Sequence, residues 1–190
     1  MTKDFRMTSA WLDSPDRYGR VSRLLHWAMA GLILWQLTGM ILRAALGRMP
    51  VVSFFVGLHP AVGTALFVLV VARILWAMAM RGRRPAHGRG LAGIAARLGH
   101  LALYALMLAV PAAALIRAWG GPRGLQVWGL TVFPARAETD VVAWAVALGN
   151  GVHGVMGWLL ALLLLGHVAM VAVHEGLWRD GTLRRMAGRG

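Results

Sequence analysis

Apolar residues concentrate in four runs, Val21 to Leu42, Phe54 to Met80, Leu98 to Leu115 and Val152 to Val173, each bounded by charge, glycine or proline. A helix needs about 20 apolar residues to cross the hydrocarbon core of a bilayer, and each run is close to that length. The pattern predicts an all-α integral membrane four-helix bundle, with residues 1–190 forming a single membrane domain. Met80 to Gly93 is basic and glycine-rich and reads as a linker, and His87 within it as a solvated loop residue. The longest connection runs from Arg117 to Asn150, a length at which loops are often functional. Its part from Thr139 to Leu148 is apolar and either extends the fourth helix or lies at the interface, with Gly149-Asn150-Gly151 as a break. Pro60 and Pro111 fall inside runs, where membrane helices tolerate a local kink.

Composition strengthens this picture. Of the 190 residues 58% are hydrophobic, and the mean hydropathy of +0.63 is too high for a soluble domain of this size. Met1 to Arg20 is polar and the first run has no small-residue cleavage site after it, so it reads as a retained helix and not as a signal peptide. The chain has no cysteine, which excludes disulfides, thiolate iron–sulfur clusters and C-x-x-C-H haem attachment. A redox group must sit on histidine or methionine.

The formal charge of +13 does not point to nucleic acid, because the arginines cluster beside the apolar runs. Lys3, Arg6, Arg17, Arg20 and Arg23 precede the first run; Arg81, Arg83, Arg84, Arg89 and Arg97 fill the second connection; Arg179, Arg184, Arg185 and Arg189 follow the fourth run. Positive residues mark the cytoplasmic side, so both termini are expected there. The first and third connections carry Arg43, Arg48, Arg117, Arg123 and Arg136 against Glu138 and Asp140, and face the other side.

Six of the seven histidines lie in or at the ends of the runs, where an ionisable side chain is costly and usually functional. His26 opens the first helix on the cytoplasmic side, and His59 and His153 open the second and fourth on the outer side. His167 follows His153 by fourteen residues, about 21 Å down the same helix and within roughly 40° of the same face. His26 is thus level with His167, and His59 with His153. Two imidazoles at each depth, from different helices, are the axial ligand set of a b-type haem. Ser22, Ala30, Gly63, Gly149 and Gly157, one turn from these histidines, either admit a flat ring to the backbone or serve close helix packing. Arg73, fourteen residues after His59, lies at the inner depth and either meets a haem propionate or snorkels to headgroups. His100 and His174 form a shallower cytoplasmic pair. Either could compete as a haem ligand; together they could bind a quinone and relay protons, or cap helix ends.

The chain resembles the bacterial cytochrome b561 family over nearly its whole length: an arginine-rich start running into RLLHW, GLHPAVG in the second helix, RLGH at the third, GLT-x-F-P in an outer loop and H-x13-H-x6-H in the fourth. The resemblance implies two haem b groups, with His26 and His167 ligating one iron and His59 and His153 the other. It implies a multi-pass protein of the bacterial inner membrane acting as a superoxide oxidase, which passes electrons from superoxide at the periplasmic face to ubiquinone. His100 and His174 then match the quinone-site histidines. Pro60, directly after His59, departs from the pattern at the local backbone. The arginines of the outer connections would draw an anion such as superoxide. The rival reading is a haem-bearing membrane anchor or electron-carrier subunit that docks a separate redox partner. A haem-free metal transporter is opposed by the absence of Asp and Glu from all four runs.

Overall fold

The computed structural model describes residues 10–85 and 90–188, so His87 lies outside the described residues. Four long helices dominate: α1 (Arg20–Leu46), α2 (Pro50–Ala79), α3 (Gly90–Gly120) and α4 (Ala143–Val173). All four are long and apolar enough to cross a membrane. Each is longer than its apolar run, α1 and α3 reaching into basic flanks and α4 beginning nine residues before its run, at Ala143. The segment read as a linker gives its last residues, Gly90 to Gly93, to α3. Ala143 to Leu148 extends the fourth helix, and Gly149-Asn150-Gly151 continues it without a break. Pro60 and Pro111 likewise lie inside uninterrupted helices.

The α1–α2 connection is short. Gly47, at φ 69°, ends α1 with its N–H on the Arg43 carbonyl, a backbone that glycine adopts at no steric cost. Pro50 opens α2 at a position where its missing N–H has no helical partner to lose. The longest connection holds a hairpin of β1 (Leu125–Val127) and β2 (Leu130–Phe133), in register Val127 to Leu130. Its two-residue loop, Trp128-Gly129, has positive φ at both positions, the twist that suits a tight antiparallel hairpin. Leu125 and Val127 are buried while Trp128 and Leu130 are each 71% exposed. After α4 the chain makes a π-helical turn, His174–Trp178, and a short helix α5 (Thr182–Ala187).

Helix α1 packs on α2, α3 on α4, and α2 on α3. The core lies midway along the bundle, where Met29 and Ile33 of α1 meet Leu66 and Val70 of α2, flanked by Met107, Leu108 and Leu164. Large apolar side chains such as Leu34, Val68, Leu75, Leu162 and Leu165 point outward and are exposed. In water such a surface would aggregate; in a bilayer it is the solvated face.

Candidate haem sites

Histidines gather at two levels, one toward each end of the bundle. At the end bearing the termini, the ring centre of His26 (α1) stands 6.4 Å from that of His167 (α4). At the other end, His59 (α2) stands 5.9 Å from His153 (α4). Two imidazoles that each bind one iron through a ring nitrogen at about 2 Å have ring centres about 6 Å apart. The rings of each pair are steeply inclined, at 68° and 83°. All four histidines are half-buried.

Hydrogen bonding also fits a ligand role at the outer pair. His153 Nδ1 lies 2.9 Å from the Val110 carbonyl of α3. Donation there fixes the tautomer and leaves Nε2 as the basic nitrogen, the usual arrangement behind a metal-ligating histidine. His59 Nδ1 is buried with no hydrogen-bond partner among the described residues, a cost of about 1–3 kcal/mol unless a bound group offsets it. Gln36 of α1, a polar residue that the sequence pattern did not single out, donates from Nε2 to the His59 carbonyl at 2.9 Å. This bond ties α1 to the backbone directly before Pro60. Among the described residues no three His, Asp or Glu side chains converge on a common metal position. At the outer level the donors are the two imidazoles of His59 and His153, and at the inner level His26 and His167 with His100 beside His167; imidazole donors of this kind suit haem iron and not a tetrahedral structural metal.

The small residues near these histidines divide by role. Ser22 is buried in a polar network, accepting from Trp76 Nε1 at 3.0 Å and donating to Asp13 at 2.8 Å. A Cβ on Gly63 would press on Gln36. A Cβ on Gly149 would collide with Arg117 and the Ala113 carbonyl, so that glycine lets α3 and α4 meet. Gly157 alone of these has open space where a Cβ would stand.

Two arginines attend the two levels. Arg73 (α2) donates from Nε to the Tyr104 hydroxyl at 2.8 Å and from Nη1 to the Ser22 carbonyl at 3.4 Å. Arg117, near the end of α3, reaches Asn150 Oδ1 at 3.3 Å.

His100 and His174 take up different neighbours. The His100 ring lies 5.5 Å from that of His167, and its Nδ1 lies 2.6 Å from the Ala96 carbonyl. His174, seven residues beyond His167, meets Asp180 through Nδ1 at 2.6 Å and the edge of Trp178 at 4.7 Å. His26, His100 and His167 thus form one row at the inner level, and His174 opens a separate cluster with the residues that follow it.

Comparison with known proteins agrees with this architecture. The family model for prokaryotic cytochrome b561 matches residues 17–189. The chain is 30% identical to cytochrome b561 homolog 2 of Escherichia coli (strain K12), over 95% of this chain and 96% of that one. It is 31% identical to cytochrome b562 of Cereibacter sphaeroides, over 89% of this chain and 94% of that one. The four apolar helices and the match along nearly the full chain place the protein in the bacterial inner membrane as a multi-pass protein. The chain belongs to the prokaryotic cytochrome b561 family, whose members bind b-type haem and carry electrons in the membrane.

Proposed function

We propose that the protein is a di-haem superoxide:ubiquinone oxidoreductase. Superoxide is oxidised at the periplasmic face, and ubiquinone is reduced near the cytoplasmic face that carries both termini. The observation that carries this reading is the pair of histidine levels, with ring separations of 6.4 and 5.9 Å at opposite ends of the bundle. His26 and His167 would hold the inner haem, and His59 and His153 the outer. Held at these levels, haem b would supply one-electron redox chemistry.

The chain's own residues do the remaining work. The Val110 carbonyl orients His153, and Gln36 steadies the backbone at His59. Arg73 would lend its positive charge to the acidic groups of a haem held by His26 and His167. Exposed arginines at the outer end, among them Arg43, Arg48 and Arg123, favour the approach of an anion. His100 and His174 supply imidazoles at the inner edge, where a quinone can enter from the lipid and take up protons. Two superoxide ions and one ubiquinone then yield two dioxygen molecules and one ubiquinol, with two protons drawn from water.

Purified protein should carry two b-type haems and reduce ubiquinone under a superoxide flux. His26→Ala or His167→Ala should remove one spectral component, and His59→Ala or His153→Ala the other. Loss of the same component from His26→Ala and His59→Ala would overturn the pairing. Two intact haems without quinone reduction, together with a co-purifying redox partner, would favour an anchor subunit instead.

A further inference from the structure

The residues after α4 form a compact device around His174 that the family resemblance did not address. The chain leaves α4 through the π-helical turn, passes Arg179 in the left-handed conformation (φ 49°) and Gly181 (φ 71°), and starts α5. That reversal returns Asp180 to His174, with Oδ2 at 2.6 Å from Nδ1. The other carboxylate oxygen, Oδ1, accepts from the Thr182 hydroxyl at 2.6 Å and the Thr182 N–H at 3.0 Å. The Thr182 hydroxyl also lies 3.4 Å from His174 Nδ1. Glu175, beside His174, is turned away to accept the Leu183 N–H at 3.1 Å. Further along, Trp27 Nε1 donates to the Met186 carbonyl at 3.2 Å, which brings this segment back to the start of α1, next to His26. A residue of positive φ that is not glycine is uncommon and marks a conformation imposed by its surroundings. Here it is what places the carboxylate on the ring.

We propose that Asp180 is a positioning residue for His174: it takes the hydrogen bond of Nδ1–H and so leaves Nε2 as the nitrogen that exchanges a proton with a quinone oxygen. This rests on the quinone-reducing reading above. The hydrogen bonds from Thr182 and then His174 hold the Asp180 carboxyl down at about 2, so it stays an anion at neutral pH and the shared proton resides on the imidazole. With Nδ1 committed, the second proton of a charged imidazole sits on Nε2 and leaves from there. It forms one O–H bond of the quinol as the quinone accepts electrons that come from superoxide. Once the quinol has left, water that reaches Nε2 returns a proton to that nitrogen, while Nδ1–H stays on Asp180 throughout. Carboxylates that orient a histidine in this way tune both its tautomer and its orientation.

The test uses the haem-loaded protein labelled with 15N-histidine, with His174→Gln to assign the signals. The parental protein should show His174 protonated on Nδ1, and Asp180→Asn should lose that signature. Asp180→Asn should retain both haems and accept electrons from superoxide, yet reduce ubiquinone about tenfold to a hundredfold more slowly. The loss should fall on kcat more than on KM, and Asp180→Glu should restore most of the rate. If the parental His174 carries its single proton on Nε2, the proposal is overturned whatever the variants do. If Asp180→Asn reduces quinone at the parental rate while His174→Ala is slow, Asp180 has no positioning role and the quinone site stands. If both variants match the parental rate, the quinone site lies elsewhere and both readings fail.

Discussion

Arg73 shows how a single residue carries both a legible and an illegible part of the structure. Its depth follows from fourteen residues of helical rise after His59, just as the depth of His167 follows from His153, because rise per residue is constant. Its partners do not follow from spacing. Tyr104 comes from α3 and the Ser22 carbonyl from α1, and both arrive only through tertiary packing. Asp13 and Asp180 were invisible for the same reason. Each reaches its partner from a loop, Asp13 bonding the Gly19 N–H, Ser22 and Arg84, and Asp180 bonding His174. The acceptors of Arg73 are neutral, and among the described residues no carboxylate forms an ion pair with it. Its positive charge is therefore available to the inner haem. Arg73→Leu is expected to lower the potential of that haem by an amount on the order of tens of millivolts, since a lost cation favours ferric over ferrous iron. Redox titration of the haem-loaded protein checks this; an unchanged potential for the component that depends on His26 and His167 would assign the arginine to headgroups.

Among the elements, the helices announce themselves by long apolar runs, whereas the hairpin does not. Three residues of β1 and four of β2 are too few for alternation to stand out within a long connection, and their pairing depends on the tight Trp128-Gly129 loop. The α3–α4 contact is equally hidden, because a glycine that admits a neighbouring helix and one that admits a ligand look alike in sequence. The structure separates Gly149 from Gly157. Gly149→Ala should force α3 and α4 apart at Arg117 and Ala113, costing about 1–3 kcal/mol. It should also loosen His153 from Val110 and broaden the outer haem spectrum. At Gly157 a Cβ enters open space, so Gly157→Leu should leave thermal stability within about 0.5 kcal/mol and lower only the outer haem content. Thermal unfolding in detergent, followed by haem absorbance, reads both effects. Full haem content in Gly157→Leu would mean that the ring packs against another face of α4.

At the scale of the whole molecule, the proposed electron flow from superoxide to quinone takes its direction from which end of the bundle faces the cytoplasm. The helices themselves say little about direction, since their spans are mostly apolar from end to end and α4 carries a histidine of each level. The asymmetry lies in the flanks. Arg17, Arg20, Arg23, Arg81, Arg83, Arg84, Arg97, Arg179, Arg184 and Arg185 all belong to the end with the termini, and Arg84 is fixed there by Asp13 at 2.9 Å. Positive residues near span ends are retained on the cytoplasmic side during insertion. The hairpin end has fewer arginines and also carries Glu138 and Asp140. Because the chain contains no cysteine, a single introduced thiol reports its own location without background. In spheroplasts, a membrane-impermeant thiol reagent should label Thr131→Cys on the hairpin at once. Asp16→Cys, before α1, should react only after the membrane is permeabilised. The reverse pattern would place His59 and His153 on the cytoplasmic side, and would put the quinone histidines His100 and His174 on the face where superoxide was expected to arrive.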